Sequence, residues 1–113
     1  MKVEVRFRGL EAFDAVREHV IRRVHFQLNR FEGGVSSVGI RIEDINGPKG
    51  GIDKRCQVTV LGPSFSPVMV DDLSSDASSA VDMAVDRAAR AVGREIERGR
   101  AVRRRDGTSG GTS

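Results

Sequence analysis

Aromatic side chains are scarce in this sequence of 113 residues, which has five phenylalanines and neither tryptophan nor tyrosine. Valine, isoleucine, leucine and alanine must therefore supply most of the hydrophobic core. The phenylalanines fall mostly at positions that face the core. The sequence thus lacks the exposed rings on which many proteins stack the bases of single-stranded nucleic acid.

Cysteine and long apolar runs are also scarce. The single cysteine, Cys56, cannot form a disulfide within the chain, and the first residues alternate in polarity, unlike a secretion signal. No stretch reaches the ~18–20 apolar residues that a membrane span needs. We expect a cytoplasmic protein with no membrane partner, and the length predicts one domain.

Arginine, in contrast, is abundant. Lysine and arginine total 19 against 16 acidic residues, so the net charge is +3, and only three of the basic residues are lysines. A modest net charge is weak evidence for nucleic-acid binding, because mixed charges commonly just solvate a surface. Whether the chain binds nucleic acid must therefore be judged from how the arginines are distributed along it.

Hydrophobic periodicity divides the chain into six elements. Alternating polarity predicts strands, and apolar residues recurring at intervals of three, four and seven predict helices with one buried face. The predicted elements are a strand at Lys2–Arg8, a helix at about Ala12–Asn29, strands at Val38–Glu43 and Arg55–Val60, a short strand at about Pro67–Asp71, and a helix from Ala77 to about Val102.

This β-α-β-β-β-α order predicts an α+β fold of two layers, in which a four-stranded sheet carries both helices on one face. Ser75 or Asp76 is a suitable N-cap for the second helix. We assign residues 1–102 to this domain. Residues 103–113, basic and then rich in glycine, serine and threonine, are expected to form a disordered tail.

The sequence gives little support for a catalytic or metal site. His19 and His25 are six residues apart on different sides of a helix, and no cysteine or acid completes a metal site with them, so we interpret both as surface histidines. Cys56 lies on the inward phase of its strand, where cysteine behaves as a small hydrophobic residue. Asp71 and Asp72 are more readily explained as acids at a strand end than as metal ligands. We predict no enzyme activity, no metal and no cofactor.

The segment Asp44–Cys56, D-I-N-G-P-K-G-G-I-D-K-R-C, is a glycine-rich and basic connection between two strands. It resembles a phosphate-binding loop only in composition. Such a loop needs a lysine followed by serine or threonine at the start of a helix, whereas Lys49 is followed by Gly50 and then by a strand.

The arginines of both predicted helices cluster on one side. At 100° per residue, Arg87, Arg90, Arg94 and Arg98 fall within about 80° of one another. In the first helix Arg22, Arg23 and Arg30 share a flank, with His19 near them. Two interpretations stay open: a surface for RNA or another polyanion, or a solvated face with local pairs such as Asp86–Arg90 and Arg94–Glu97.

The loop sequence, together with Val81-Asp82 and Asp86-Arg87-Ala88-Ala89 in the last helix, resembles the ribosome hibernation-promoting factor family over about residues 1–100. This family includes ribosome-associated inhibitor A and is also called the sigma-54 modulation protein family. The resemblance implies a fold like that of double-stranded-RNA-binding domains. It also implies a role in translation regulation, in which a short member binds ribosomal RNA in the decoding channel of the small ribosomal subunit and keeps stalled ribosomes inactive, as in stress or stationary phase.

The resemblance has local departures, since Phe13 stands where relatives have a threonine or serine cap and Ala77-Ser78 replaces Leu-Tyr. The chain also stops without the C-terminal dimerising domain of the long members, so we do not expect it to pair ribosomes through such a domain. We further expect a monomer in solution and no binding to DNA. A non-ribosomal interaction module, possibly homodimeric through the open face of its sheet, is the alternative. The predicted RNA-binding residues are Arg22, Arg23, Arg30, Lys49, Lys54, Arg55, Arg87, Arg90, Arg94 and Arg98.

Overall fold

The computed structural model describes residues 1–9, 14–45 and 52–112, with side chains described as far as Arg100. The elements are β1 (Lys2–Arg8), α1 (Asp14–Leu28), a 3-10 helix (Asn29–Gly34), β2 (Ser37–Asp44), β3 (Lys54–Gly62), β4 (Phe65–Ser74) and α2 (Ala77–Thr112). This order, with α1 and α2 on one face of the sheet, confirms the predicted α+β fold.

The four strands form one sheet in the order β1-β2-β3-β4. Strand β1 runs parallel to β2, and the other two pairs are antiparallel. Val38, Ile40 and Ile42 of β2 point toward the helices, so the intervening residues Gly39, Arg41 and Glu43 face the open side. Strand β4 is longer than the predicted Pro67–Asp71, because the ladder with β3 continues to Ser74.

The core lies between the sheet and the two helices, and it consists almost entirely of small aliphatic residues. Val20, Val24 and Leu28 of α1 are fully buried, as are Val85 and Val92 of α2. The predicted stripe on α2 also includes Ala84 and Ala88, and these alanines let the helix lie close to the sheet. This core holds α2 across β3 and β4, with α1 beside it.

The ends of the helices differ from the prediction. The predicted start of the first helix at Ala12 lies outside the described residues, and the α-helix ends at Leu28, where the backbone tightens into the 3-10 helix. Helix α2 continues to Thr112, past the predicted end at about Val102 and into the segment predicted to be a disordered tail. Extension of an existing helix needs no new nucleus, and weak helix formers can therefore be added to a stable one.

The predicted cap of α2 is confirmed at Asp76. Its Oδ2 accepts hydrogen bonds from the backbone N–H of Ser79 at 2.9 Å and from the Ser79 hydroxyl at 3.1 Å. An aspartate at this position satisfies a free N–H of the first turn and favours the positive end of the helix dipole. Within the part of the chain that the structure describes, no helix is both long enough and apolar enough to cross a membrane.

Candidate nucleic-acid interface

A shallow groove runs between the outer flank of α2 and the edge strand β4. It encloses about 210 Å³ and is lined by Arg87, Arg90, Ala91 and Arg94 from α2 and by Val70 from β4. The three arginines come from successive turns of the helix, which places their charges in a row about 4–6 Å apart along its axis. We call this surface the α2–β4 groove.

Arg87 is anchored at one end of this groove. Its Nη1 donates to the Asp72 carboxylate at 2.9 Å and to the backbone carbonyl of Asp71 at 3.0 Å. Half of the Arg87 side chain nevertheless stays exposed. No acid lies three or four residues from Arg87 in the sequence, and its partner lies instead on the neighbouring strand. Asp72 therefore fixes the direction of a cation that remains accessible.

Arg90 and Arg98 each make a local ion pair on α2. Arg90 lies 2.9 Å from Asp86 and Arg98 lies 2.8 Å from Glu95, and both arginine side chains are more than half exposed. Exposed pairs of this kind contribute little to stability and exchange readily with other ions. Arg90 can therefore turn toward an anion in the groove at small cost.

The basic residues predicted in the first helix do not line the groove, and Arg23 lies where α1 meets α2. Arg23 Nε is 3.3 Å from Asp82 Oδ1 and Arg22 is 3.9 Å from Glu18. Arg30 belongs to the 3-10 helix, where its guanidinium lies 4.7 Å from the centre of the Phe31 ring. The structure thus does not join the two predicted helix stripes into one continuous surface.

His19, which we interpreted from the sequence as a surface histidine, is partly exposed and has a partner on α2. Its Nε2 lies 2.7 Å from Asp82 Oδ1, and the side chain is about one quarter exposed. Because Arg23 reaches the same carboxylate, Asp82 connects α1 to α2 through two contacts. A partner 63 positions away along the chain could not be found from spacing within one helix.

Lys54 and Arg55 lie at the base of the connection between β2 and β3, and acidic neighbours hold both. Lys54 Nζ is 2.9 Å from the buried Asp53 and 3.5 Å from Asp44. Its hydrogen bond to Asp53 raises the pKa of Lys54 above its usual value. Of the predicted residues in this connection, Lys49 lies outside the described residues.

Arg55 lies on the face of the sheet opposite the helices. It contacts Asp71 at 2.9 Å and Glu43 at 3.1 Å. The hydrogen bond to Asp71 raises the pKa of Arg55. Arg55 therefore belongs to a network on the open face of the sheet, whereas the α2–β4 groove lies on the face that carries the helices.

Cys56 lies in the core, as predicted, and is fully buried. Burial, followed by the nearby charges of Asp72 and Asp71, raises the pKa of the thiol to about 12. The thiol is protonated at neutral pH and is a poor nucleophile there.

Sequence reasoning missed two features that the fold creates. It did not find the role of Asp72 in orienting Arg87, because that contact joins a strand to a helix. It also left out two arginines of the open sheet face, Arg6 and Arg41. The alternation of polarity in β1 indicates that Arg6 faces solvent, but its position beside Arg41 depends on the register of β1 with β2.

A two-layer α+β domain with an arginine-lined groove beside its last helix is suited to binding a polyanion. The family model described as "Sigma 54 modulation protein / S30EA ribosomal protein" matches residues 3–100. The chain belongs to this family. The comparison with curated proteins found no match.

Two solved structures are similar to this chain. The N-terminal domain of Protein Y from Thermus thermophilus is 26% identical, with a TM-score of 0.67, and the match covers 83% of this chain and 98% of that domain. A ribosomal subunit interface protein from Coxiella burnetii is 20% identical, with a TM-score of 0.70, and the match covers 83% of this chain and 96% of the other. The second likeness concerns the fold alone.

Proposed function

We propose that this protein is a ribosome-associated hibernation factor that binds ribosomal RNA in the decoding channel of the small subunit and inhibits translation. Membership of the family supports association with the ribosome and, with it, a site of action in the cytoplasm. The observation that carries the RNA-binding part of the proposal is the α2–β4 groove, where Arg87, Arg90 and Arg94 line one surface.

The groove suits the phosphate backbone of folded RNA. Guanidinium groups donate paired hydrogen bonds to phosphate oxygens, and they lose little hydration when they do so. Arg87 is already oriented by Asp72, so less side-chain freedom is lost when it binds. None of the described residues that line the groove is aromatic, which favours contact with phosphates and RNA shape over the stacking of bases.

The other predicted residues are proposed as auxiliary contacts. Arg22 and Arg98 are exposed and only locally paired. Arg23, Arg30, Lys54 and Arg55 have partners within the protein, so binding RNA would require each to give up or share a contact. We therefore rank the groove above these residues and retain Lys49 as an untested contact.

The decisive experiment compares ribosome binding by wild type and by the double variant Arg90→Gln and Arg94→Gln. These substitutions keep the Arg87–Asp72 anchor intact and remove two charges from the groove. If both arginines contact phosphates, the slope of log affinity against log salt should become shallower by about two units. Co-sedimentation with small subunits at moderate salt should fall strongly.

A matched control replaces Lys2 and Arg100 by glutamine, which removes the same number of charges. Both side chains are mostly exposed and lie near acidic residues, Glu4 and Glu97. Arg100 is six positions from Arg94 and so lies about 120° around the helix. If both double variants lost binding equally, the loss would be due to the lower net charge and not to the position of the arginines in the groove. A wild-type protein found only in free fractions of a lysate gradient would favour the non-ribosomal alternative.

A further inference from the structure

The open face of the sheet, opposite the helices, contains a depression centred on Gly39. It encloses about 180 Å³, and the charged and polar side chains that line it are those of Glu4, Arg6, Arg41, Gln57 and Thr59. Gly39 lies beside Thr59 in the ladder of β2 and β3 and beside Glu4 of β1. Because glycine has no side chain, the neighbouring side chains surround an open floor of backbone.

Two like charges meet at the rim of this depression. Arg6 of β1 and Arg41 of β2 are direct partners in the register of the parallel pair. Both lie on the outward phase of their strands and are exposed. Like charges side by side on a sheet destabilise it unless an opposite charge lies between them.

The acids of the same face are largely engaged with other cations. Glu43 and Asp71 both bind Arg55, at 3.1 and 2.9 Å. Glu4 lies 3.2 Å from Lys2 and makes a longer contact, of 3.8 Å, with Arg6. Arg6 is therefore weakly compensated, and three-quarters of its side chain is exposed.

We propose that this depression is a second anion site, which binds a phosphate group of RNA between Arg6 and Arg41. The guanidinium groups supply charge and N–H donors, while the Thr59 hydroxyl and the Gln57 amide supply further hydrogen bonds to phosphate or ribose oxygens. The ligand's identity as RNA rests on the proposed function, whereas the affinity for phosphate follows from this face itself.

The second site has a consequence for how the protein would sit in RNA. The α2–β4 groove and the Gly39 depression lie on opposite faces of the sheet, so no single phosphate can reach both. A chain that binds through both faces is enclosed by RNA on two sides. Removal of one site should then weaken attachment without abolishing it.

The test uses the full chain labelled with ¹⁵N and titrated with adenosine 5′-monophosphate, followed by amide signals in NMR spectra. We expect the signals of Gly39 and Thr59 to shift at concentrations up to about 10 mM, the range for a single weakly held phosphate. Adenosine, which has the same base and no phosphate, should leave them unchanged. Arg6→Gln with Arg41→Gln should weaken the response at least about tenfold.

Gly39→Val tests the shape of the site while keeping every charge. A Cβ at Gly39 would meet only the Thr59 carbonyl oxygen, at 4.0 Å, and valine is favoured in strands, so the fold should be retained. This variant should lose the response to adenosine 5′-monophosphate. Arg90→Gln with Arg94→Gln should keep it, since those residues lie on the other face.

Unmoved Gly39 and Thr59 signals, or equal shifts with adenosine, would overturn the second site. A response that survives in both Gly39→Val and the Arg6–Arg41 double variant would do the same. The proposed function fails in a different assay, namely when the wild-type protein does not co-sediment with ribosomes. The two failures can therefore be told apart.

Discussion

Gly62 provides the sharpest test of the packing at the end of β3, close to the turn into β4. A Cβ built at this position would lie 2.4 Å from the backbone carbonyl oxygen of Gly34 and 2.4 Å from Cε1 of Phe65. One obstacle is backbone, and the other is a ring packed against the core. Gly62→Ala cannot be accommodated by rotation of one flexible side chain.

The cost follows from the distances. Ordinary contacts of a Cβ begin near 3.4 Å, so both neighbours must move by about 1 Å. Forcing extra atoms into a packed site costs roughly 1–3 kcal/mol of unfolding free energy. We expect a loss of about 2 kcal/mol, which for a domain of this size lowers the Tm by roughly 6–10 °C.

Urea and thermal unfolding, followed by circular dichroism, measure this loss. Gly33→Ala is the matched control, because it makes the same chemical change in the 3-10 helix where a Cβ would meet nothing within 4 Å. The control should be neutral or more stable by up to about 1 kcal/mol, since alanine reduces the freedom of the unfolded chain. If Gly62→Ala proves as stable as Gly33→Ala, the reasoning about close packing is wrong.

Two further predictions concern Cys56 and Asp82. Because burial raises the pKa of the Cys56 thiol from 9.0 to about 12, the folded protein binds more protons than the unfolded chain between these values. The contribution of the protonated Cys56 thiol to the free energy of unfolding is complete below pH 9 and is lost as the pH rises toward about 12. Cys56→Ala should therefore flatten the alkaline part of a plot of unfolding free energy against pH. An unchanged plot would contradict the raised pKa of this thiol. Asp82→Asn removes the charge shared by His19 and Arg23 and should cost about 1 kcal/mol in urea unfolding. When Asp82→Asn is made in a protein that already carries Arg23→Gln, the loss of unfolding free energy should be smaller. An undiminished loss would show that Arg23 and Asp82 are not coupled.

The sequence determined the architecture to a large extent. Strict alternation in Lys2–Arg8 and the aliphatic period of α2 sufficed to predict a half-buried strand and a helix with one buried face, and both are present. Local periodicity reports burial directly, because a strand or helix exposes one side of itself to water. Element ends were predicted less well. The extension of β4 to Ser74 depends on pairing with β3, which local pattern does not reveal.

The candidate site was predicted only in part, for a related reason. The one-sided row of Arg87, Arg90 and Arg94 is a property of helical spacing, and the sequence alone determined it. The ion pairs of Arg87 with Asp72 and of Arg23 with Asp82, in contrast, join residues that are distant in the chain. Their existence depends on how the helices lie against the sheet, so only the tertiary structure could decide which arginines line a common groove.

The open face shows the same division most clearly. Sequence alternation placed Arg6 on the solvent side of its strand, and the same pattern applied to Arg41. The two arginines are neighbours only because of the parallel register of β1 and β2. A depression lies beside them because Gly39 of β2 has no side chain. Periodicity determines which face of an element a residue occupies. Pairing across the sheet determines what it meets there.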